Sequence, residues 1–254
     1  MRRTLLIDGD IYAYQAALSV QRVTEFDEHV AITADKAEGL QDLWDRLSQI
    51  QETLNGDNLV IALTDKENFR KDILLTYKDN RKGVAKPILL NFLRRHLIEE
   101  HKAIVRPSLE GDDVLGIYLT NPKLLKGHEK VCVSIDKDMK SVPGLHYNPD
   151  KDTEVVEVTE EQADYLHMMQ TLTGDTADGY KGCPGIGAVK AAKLLEPSDY
   201  YTAWDVVVAS YKNAGLTEAD ALVQARVARI CRSSDYNYAT KRPIPWTPAS
   251  SPPD

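Results

Sequence analysis

The segment RTLLIDGD, residues 3–10, decides the fold, because a short apolar run ends abruptly at carboxylates. An apolar run without alternation predicts a strand that is buried on both faces. The same pattern returns in residues 59–63, LVIAL, which lead into Asp65, and in residues 131–135, VCVSI, which lead into Asp136. The chain is therefore expected to contain several buried strands that each end at an acidic side chain.

Helical patterns separate these strands. Residues 36–54 place apolar side chains three and four positions apart, as on one face of an amphipathic helix. Strands that alternate with helices predict an α/β fold with a largely parallel sheet flanked by helices. We also expect helices over 86–101, after Gly111, over 159–172 and from 188 to the proline-rich end, the third of them with a capping box at its start. A short strand is expected over 103–105, and a loop or irregular insertion over 24–35.

The acids that follow the strands should lie close together in space. Asp8, Asp65 and Asp136 come directly after apolar strands, and Glu110 lies a few residues past the short strand. In parallel sheets the functional site lies beyond the carboxyl ends of the strands. Four separate strands should therefore bring carboxylates to one edge of the sheet.

Crowded carboxylates indicate a site for divalent cations. Like charges raise one another's pKa values, and hard cations such as Mg²⁺ relieve the repulsion through oxygen ligands. Two such ions about 4 Å apart can activate a water and stabilise the leaving oxygen of a phosphodiester. A lone Asp-x-Asp is more typical of a turn or a helix cap, so the prediction depends on the whole set. The candidate metal ligands are Asp8, Asp65, Glu110, Asp112, Asp113, Asp136, Asp138, Asp175 and Asp178.

A glycine-rich turn, GCPGIG over residues 182–187, precedes a helix that carries Lys190 and Lys193. Gly185 and Gly187 leave backbone N–H groups free to approach a phosphate, and a helix N-terminus adds a favourable field. Helix, turn and helix together predict a helix-hairpin-helix that grips the DNA backbone without reading its sequence. The alternative is a helix–turn–helix unit that serves packing alone.

Positive charge is concentrated in the middle of the chain. The formal net charge is −8, yet residues 66–106 contain eleven Lys and Arg against five Asp and Glu. A cation beside the metals could steady the charge that develops on phosphoryl oxygens, and an aromatic ring could stack on a base. Charge alone favours a simpler interpretation, a solvated basic face. The candidates are Arg70, Lys78 and Arg81 as catalytic cations and Tyr77, Lys82 and Lys86 as contacts to DNA.

Six motifs occur in a fixed order: LLIDGD (5–10), ALTDKENFRK (62–71), YKDNRK (77–82), LEGDD (109–113), SIDKDMK (134–140) and GDTADGYKGCPGIG (174–187). Together they resemble the flap-endonuclease superfamily of structure-specific 5′-nucleases, and most nearly the 5′→3′ exonucleases of short-tailed bacteriophages. The resemblance runs from about residue 3 to residue 196. It implies a PIN-like core, a helical arch over about 78–105 and a helix-three-turn-helix appendage.

The resemblance also implies cofactors and their ligands. Two magnesium or manganese ions are implied, the first held mainly by Asp8, Asp65, Glu110 and Asp112 with Asp113 nearby, and the second by Asp136, Asp138, Asp175 and Asp178. The three basic candidates, Arg70, Lys78 and Arg81, would contact the scissile phosphate or its neighbours. The family's hairpin also holds a potassium ion through backbone carbonyls and a hydroxyl. Here Cys183 occupies that turn and offers no hydroxyl.

The implied activity is metal-dependent hydrolysis of DNA phosphodiester bonds from 5′ ends, by a 5′→3′ exonuclease and flap endonuclease. The implied substrates are duplex DNA with a 5′ end, flap, gap or nick, and RNA in RNA–DNA hybrids. Three widely spaced cysteines favour a reducing cytosol, and the N-terminal apolar run is too short for a signal peptide or a membrane span. We expect a monomer in the cytoplasm, that of an infected bacterial host if the protein is phage-encoded.

The domain organisation follows from the same motifs. Residues 1–165 are expected to form the nuclease core with its arch. Residues 166–242 are expected to form a helical DNA-binding subdomain with the hairpin at 182–187. Residues 243–254 are rich in proline and are expected to form a flexible tail.

Three other functions share parts of this pattern. An aspartate-nucleophile phosphatase also begins with an Asp-Gly-Asp after a strand, but it would leave the hairpin and the basic segment without a role. A non-catalytic DNA-binding module would use the hairpin alone, although the surplus of acids would repel DNA without metals. A PIN-type ribonuclease shares the core acids but would not need the hairpin.

Overall fold

A six-stranded sheet with helices on both faces forms the core of the structure, a computed structural model that describes residues 2–27, 29–196 and 200–248. The strands are β1 (Arg2–Asp8), β2 (Arg22–Phe26), β3 (His29–Thr33), β4 (Asn58–Leu63), β5 (Ile104–Val105), β6 (His128–Val133), β7 (Gly144–Tyr147), β8 (Val156–Val158), β9 (Tyr236–Asn237) and β10 (Arg242–Pro243). The sheet order is β5-β4-β1-β6-β7-β8, and every neighbouring pair except β7 and β8 is parallel. The predicted α/β fold is confirmed.

Helices alternate with these strands. They are α1 (Gly9–Ser19), α2 (Lys36–Thr53), α3 (Arg70–Ile73), α4 (Leu90–Glu99), α5 (Gly111–Thr120), α6 (Glu160–Thr173), α7 (Ala188–Leu195), α8 (Tyr200–Asn213) and α9 (Glu218–Ala228). The predicted capping box at the start of α6 is present, because Thr159 and Gln162 each accept the other's backbone N–H with a side-chain oxygen. None of the described helices is long and apolar enough to cross a membrane.

Strand β1 lies at the centre of the sheet because its side chains are apolar on both faces. Leu5 and Ile7 belong to a core with side chains of α1, α2 and α4, and Leu6 belongs to a second core with side chains of α5. All three side chains are fully buried. Since β1 is parallel to both β4 and β6, the carboxyl ends of three strands lie side by side, and Asp8 ends the middle one.

The structure contains strands that the sequence did not predict. Most of residues 24–35, expected as a loop, form the antiparallel hairpin of β2 and β3, with Val23 opposite Ile32. Side chains on both faces of this hairpin are largely exposed, so no hydrophobic alternation marks it. The strands β7 to β10 are two to four residues long and are too short for a periodic signal.

The segment predicted as a helical arch, residues 78–105, is helical only in part. A single 3₁₀ turn covers Asp79–Arg81, and α4 begins at Leu90 rather than at residue 86. Leu93 and Leu97 of α4 are fully buried in the core shared with α1 and α2. Because its apolar face is used in this way, α4 is part of the core, and the chain before it forms an irregular connection.

Helices α6 to α9 form a further apolar core, which also holds the start of the predicted tail. The Trp246 ring is buried against Trp204 and His167, with centroids 5.2 Å and 5.0 Å away, and Arg226 Nε donates to the Trp246 carbonyl at 3.0 Å. The prediction of a flexible tail is therefore wrong up to Trp246. Residues 249–254 lie outside the described residues, and the predicted boundary at residues 165 and 166 stays a prediction.

Candidate active site

Acidic side chains from separate parts of the chain line a small cavity at the carboxyl edge of the sheet. The acids of the cavity wall are Glu110, Asp112, Asp136, Asp138 and Asp178. The buried carboxylate of Asp8 lies next to them, since it interacts with both Asp136 and Asp112. The cavity volume is about 20 Å³, which is room for a water or an ion, since one water needs about 10–15 Å³. A nucleotide must therefore approach at the rim.

The carboxylates at this edge raise one another's pKa values. Burial and the nearby Asp136 raise the pKa of Asp8 to about 6, although the Ile11 N–H bonds its carboxylate. Burial and Asp136 likewise raise the pKa of Asp138 to about 6. The pKa of Asp112 is raised well above its usual value by burial and by Asp8. The site thus holds more negative charge than its own cations neutralise.

Two cations lie among these acids. Lys78 Nζ lies 2.5 Å from Glu110 Oε1 and 3.5 Å from Asp178 Oδ2, and Arg81 Nη2 lies 2.6 Å from Asp178 Oδ1. Burial disfavours the Lys78 charge, but Glu110 and Asp178 outweigh it and raise the pKa of Lys78. The Lys78 side chain is 18% exposed and that of Arg81 is 55% exposed, so both can be reached from the rim.

Asp175 and Asp178, the last two predicted metal ligands, lie in a loop that two glycines close. Gly174 and Gly182 have φ of +68° and +67°, and an added Cβ on either would lie 2.3 Å from the backbone of the other strand of the loop. This close approach closes residues 175–181 into a loop, in which Asp175 and Tyr180 exchange backbone hydrogen bonds. The Lys78 N–H donates to the Asp178 carbonyl at 2.8 Å, so the loop is joined directly to the basic segment.

Arg70 and Asp113 form a buried structural pair, which corrects their predicted roles. The Arg70 side chain is 2% exposed, and its Nη1 and Nη2 bond both oxygens of Asp113 at 2.8 Å. Its remaining donors reach the Val227 and Arg229 carbonyls. Asp113 also accepts the N–H groups of Glu110 and Cys231. Asp113 thus accepts four hydrogen bonds and has no lone pair turned to a metal. Arg70 Nη1 also lies 3.3 Å from Glu110 Oε2, so the enclosed guanidinium supports the wall of the acidic cavity from behind.

Tyr77 and Asp65 are also placed differently from the prediction. Tyr77 is 2% exposed and cannot stack on a base. Its hydroxyl lies 2.9 Å from Glu110 Oε2 and 3.0 Å from Asp178 Oδ2, so its single proton serves two carboxylates. Asp65 follows β4 as predicted, but its Oδ2 accepts the Ser108 N–H at 2.8 Å, and it stands apart from the cavity wall.

Two further features of the site were not predicted from the sequence. Asp10 Oδ2 accepts the Thr64 N–H at 2.7 Å and Oδ1 pairs with Arg94, so Asp10 fastens β4 and α4 to the start of α1. Gln170 of α6 lines the acidic cavity, and its Oε1 is buried without a hydrogen-bond partner. Nothing in the local sequence marks Gln170, because it reaches the site only through the packing of α6.

The predicted DNA contacts lie outside the cavity. Lys82 is exposed and pairs with Asp79, and Lys86 is exposed. In the hairpin an added Cβ on Gly185 or Gly187 would meet open space, and Lys190 and Lys193 of α7 are exposed. Cys183 turns inward, with its Sγ 3.5 Å from the Ser210 carbonyl, so the potassium ion stays a prediction without a side-chain ligand.

The donor chemistry of the cavity fits a hard divalent cation. Within the described residues no group of three or more His, Cys, Asp or Glu side chains is arranged to hold a metal ion, and Glu110 and Asp178 are instead paired with Lys78 and Arg81. The wall is nonetheless built of carboxylates, among which burial raises the pKa values of Asp112, Asp138 and Asp178, and of one amide oxygen without a hydrogen-bond partner, that of Gln170. These are the ligands that magnesium and manganese prefer, and a bound cation would relieve their repulsion.

Proteins of known function resemble this chain along most of its length. Residues 3–167 match the family described as 5′-3′ exonuclease, N-terminal resolvase-like domain. The chain is 31% identical to the exonuclease of Escherichia phage T7, over 96% of this chain and 93% of that protein. It is also 31% identical to the exodeoxyribonuclease of Enterobacteria phage T3, over 97% and 93%. The flap endonuclease Xni of Shewanella oneidensis is 26% identical over 64% of each chain.

Solved structures from bacteriophage T5 share the fold. The T5 D15 protein co-crystallised with metal ions has a TM-score of 0.63 and 12% identity, over 89% of this chain and 93% of that chain. The T5 flap endonuclease in a pseudo-enzyme-product complex with DNA and metal ions has a TM-score of 0.61 at the same identity and coverage. At this identity the likeness establishes the fold alone, which agrees with the predicted PIN-like core.

Arg70 and Arg81 should contribute very differently to the stability of the fold. Arg70→Met should lower the free energy of unfolding by roughly 3–5 kcal/mol, because it leaves the Asp113 charge buried without its partner. Arg81→Met should change it by less than about 0.5 kcal/mol, because Arg81 is largely exposed. Urea unfolding at pH 7 measures both. An Arg70→Met protein as stable as the wild type would return Arg70 to the list of candidate phosphate contacts.

The metal-free protein should lose stability as the pH rises from about 4.5 to 6.5. A carboxylate whose folded pKa is raised stabilises the fold below its unfolded pKa of 3.8, and this contribution is lost as the pH passes about 6. For Asp8 the loss between pH 4.5 and pH 6.5 is about 2 kcal/mol, since one pKa unit is about 1.4 kcal/mol and part of the loss occurs below pH 4.5. The pKa of Asp113 is lowered, so its opposite contribution is already complete above pH 4.5.

Urea unfolding of the wild type and Asp8→Asn in EDTA at pH 4.5, 5.5 and 6.5 tests this pH dependence. Asp8→Asn should gain stability relative to the wild type as the pH rises, because it removes the group that must ionise. The shared histidines contribute equally to both proteins and cancel in the difference. A difference that stays constant across this range would contradict the crowding of carboxylates at Asp8.

Proposed function

Since the chain belongs to the family of 5′–3′ exonucleases, we propose that it hydrolyses DNA phosphodiester bonds from 5′ ends with two divalent cations at the acidic sheet edge. The observation that carries the proposal is the cavity in which β1, α5, β6 and the loop before the hairpin each place carboxylates. No single local motif could assemble such a site. It provides crowded oxygen ligands, accessible cations and a neighbouring surface for the DNA backbone.

The proposed ligand sets are those that the family resemblance implies. Asp8 and Asp112, with Glu110, would hold one cation, and Asp136, Asp138, Asp175 and Asp178 would hold the other. Asp65 stands apart from the cavity wall and would reach the first cation only through a coordinated water. Bound magnesium or manganese would supply a Lewis acid and lower the pKa of a coordinated water.

The chain's own cations would orient the phosphodiester. Lys78 and Arg81 point into the same acidic cluster from the basic segment, and Asp178 holds both of them. Their ammonium and guanidinium groups would bind the non-bridging oxygens of the scissile phosphate and stabilise the charge that develops there. Tyr77 would act as a positioning residue, because its hydroxyl fixes Glu110 and Asp178 relative to each other.

The hairpin would hold the duplex next to this site. Gly185 and Gly187 leave the turn open to a phosphate, and Lys190 and Lys193 add positive charge beside it. Such contacts fix the position of DNA without reading its sequence. The T5 flap endonuclease binds DNA and metal ions on the same fold. We extend the proposed substrates to 5′ flaps, gaps, nicks and RNA–DNA hybrids, and place the protein as a monomer in the cytoplasm of a phage-infected bacterium.

Asp136→Asn should abolish nuclease activity without unfolding the protein. The asparagine keeps the oxygen that accepts the Asp138 N–H at 2.8 Å but removes the charge, so the turn survives and the metal affinity falls. Release of nucleotides from a labelled duplex in magnesium should drop by at least about 100-fold. Asp205→Asn, at an exposed position of α8, is the matched control and should retain activity. Activity that survives in Asp136→Asn or in EDTA would reject the metal-dependent mechanism.

The double variant Lys190→Ala/Lys193→Ala should raise KM and leave kcat unchanged. Each lost phosphate contact should make the plot of log affinity against log salt less steep by about 0.9. Steady-state kinetics between 50 and 200 mM salt, about the range over which such contacts are lost, measure both effects. Lys212→Ala, another exposed lysine on α8, should behave as the wild type. A change in kcat with an unchanged salt dependence would argue that the hairpin only packs.

A further inference from the structure

A second cavity lies beside the acidic one, and we propose that it binds the phosphomonoester of a 5′-terminal nucleotide. Its volume is about 90 Å³, and it opens between the 3₁₀ turn Lys137–Ser141 and the loop after β7. Asp136 lines both cavities, so they share a wall. The inference rests on the proposed nuclease function and gives that enzyme a preference for 5′-phosphorylated ends.

Three lysines line this cavity, Lys137, Lys140 and Lys151. None of their ammonium groups forms a salt bridge or a hydrogen bond with any residue that the structure describes. In contrast, Lys78 and Lys82 of the basic segment are each paired with a carboxylate. Lys137 interacts with Asp138 without bonding it. The three ammonium groups around one concave site repel one another, and an anion between them would relieve that repulsion.

The walls of the cavity are fixed before any ligand arrives. Asn148 Nδ2 donates to the Ile135 carbonyl at 3.1 Å, which ties the loop after β7 to the end of β6. Two carboxylates, Asp136 and Asp152, also line the cavity and keep their charges, although each accepts a backbone N–H at 2.8 Å. The three lysines therefore leave a net positive charge in a cavity whose backbone is already held in place.

The size and charge of the cavity favour a terminal phosphate over other parts of DNA. Since one water needs about 10–15 Å³, the cavity of about 90 Å³ takes a few waters or a tetrahedral oxyanion, and it is too small for a base with its sugar. A phosphomonoester carries a charge of about −1.5 to −2 at pH 7, whereas an internal diester carries a single charge. Lysines bind phosphate as point charges, so the more highly charged group is preferred.

The position of the lysine cavity indicates which end of a DNA strand would reach it. Asp178, from the loop that leads into the hairpin, lines the acidic cavity, and Asp136 separates that cavity from the lysines. A duplex held by the hairpin therefore reaches the acidic cavity first, and the lysine cavity lies beyond the point of cleavage. When DNA is cleaved from a 5′ end, the nucleotide beyond the point of cleavage is the 5′-terminal one, so its phosphate would lie in the lysine cavity.

The test compares one duplex with a 5′-phosphate and with a 5′-hydroxyl, labelled at the 3′ end, in magnesium. The wild type should prefer the phosphorylated end by at least about tenfold in kcat/KM, as expected when hydrogen bonds to a charged group are made. Lys140→Ala/Lys151→Ala should lose this preference to within about twofold and keep its activity on the 5′-hydroxyl duplex. Lys126→Ala, an exposed lysine before the amino end of β6, should keep the preference.

A binding measurement separates failure of this site from failure of the nuclease assignment. In EDTA, acetylation of Lys140 and Lys151 is followed by mass spectrometry with deoxyadenosine 5′-monophosphate, deoxyadenosine or inorganic phosphate. The monophosphate should protect both lysines and deoxyadenosine should not. Protection without nuclease activity on any end would support the site and contradict the proposed function.

Three results would overturn the assignment of the lysine cavity. The first is an active wild type that cleaves both ends equally. The second is a double variant that keeps the preference of the wild type for the phosphorylated end. The third is protection by inorganic phosphate but not by the nucleotide, which would show a general anion site with no role at the DNA end.

Discussion

Repulsion between the carboxylates at the carboxyl edge of the sheet is the constraint on which the rest of the structure depends. Parallel strands bring their ends together, so each acid that follows a strand adds charge to the same small volume. The protein itself supplies only part of the countercharge, through Lys78, Arg81 and the enclosed Arg70. Burial first, and the neighbouring carboxylates after it, raise the pKa values of Asp8, Asp112 and Asp138. We expect this repulsion to destabilise the metal-free protein. The same repulsion favours the binding of cations.

Burial separates two kinds of cation in one basic segment. Arg70 is enclosed, bonds Asp113 and two backbone carbonyls, lies 3.3 Å from Glu110, and joins α3 to α5 and to the end of α9. Lys78 and Arg81 stand at the rim with exposed surface and with acids that a metal could take over. The buried cation holds α5 and its acids in place, and the two exposed cations are available to a substrate.

The loop between Gly174 and Gly182 connects DNA binding to the acids. Gly182 closes this loop and also opens the hairpin, so the same residue sets the position of Asp175 and Asp178 and the start of the turn that leads to α7. Its N–H is held by Gln224 of α9 at 2.9 Å. A duplex bound at the hairpin, as we propose, would thereby be held at a fixed distance from the acidic cavity, and Asp136 forms the wall between that cavity and the lysine cavity.

The sequence by itself determined the alternation of strands and helices, the acids after β1, β4 and β6, and the glycine turn, because period, apolar runs and glycines act locally. The family followed from the order of these motifs. Only the tertiary structure decided which charged groups face one another. Arg70 and Arg81 look alike in the sequence, as do Asp112 and Asp113, and adjacent residues of a helix point to different faces. Whether each side chain is buried and paired, or free to bind, depends on residues such as Val227 and Cys231 that lie more than one hundred positions away.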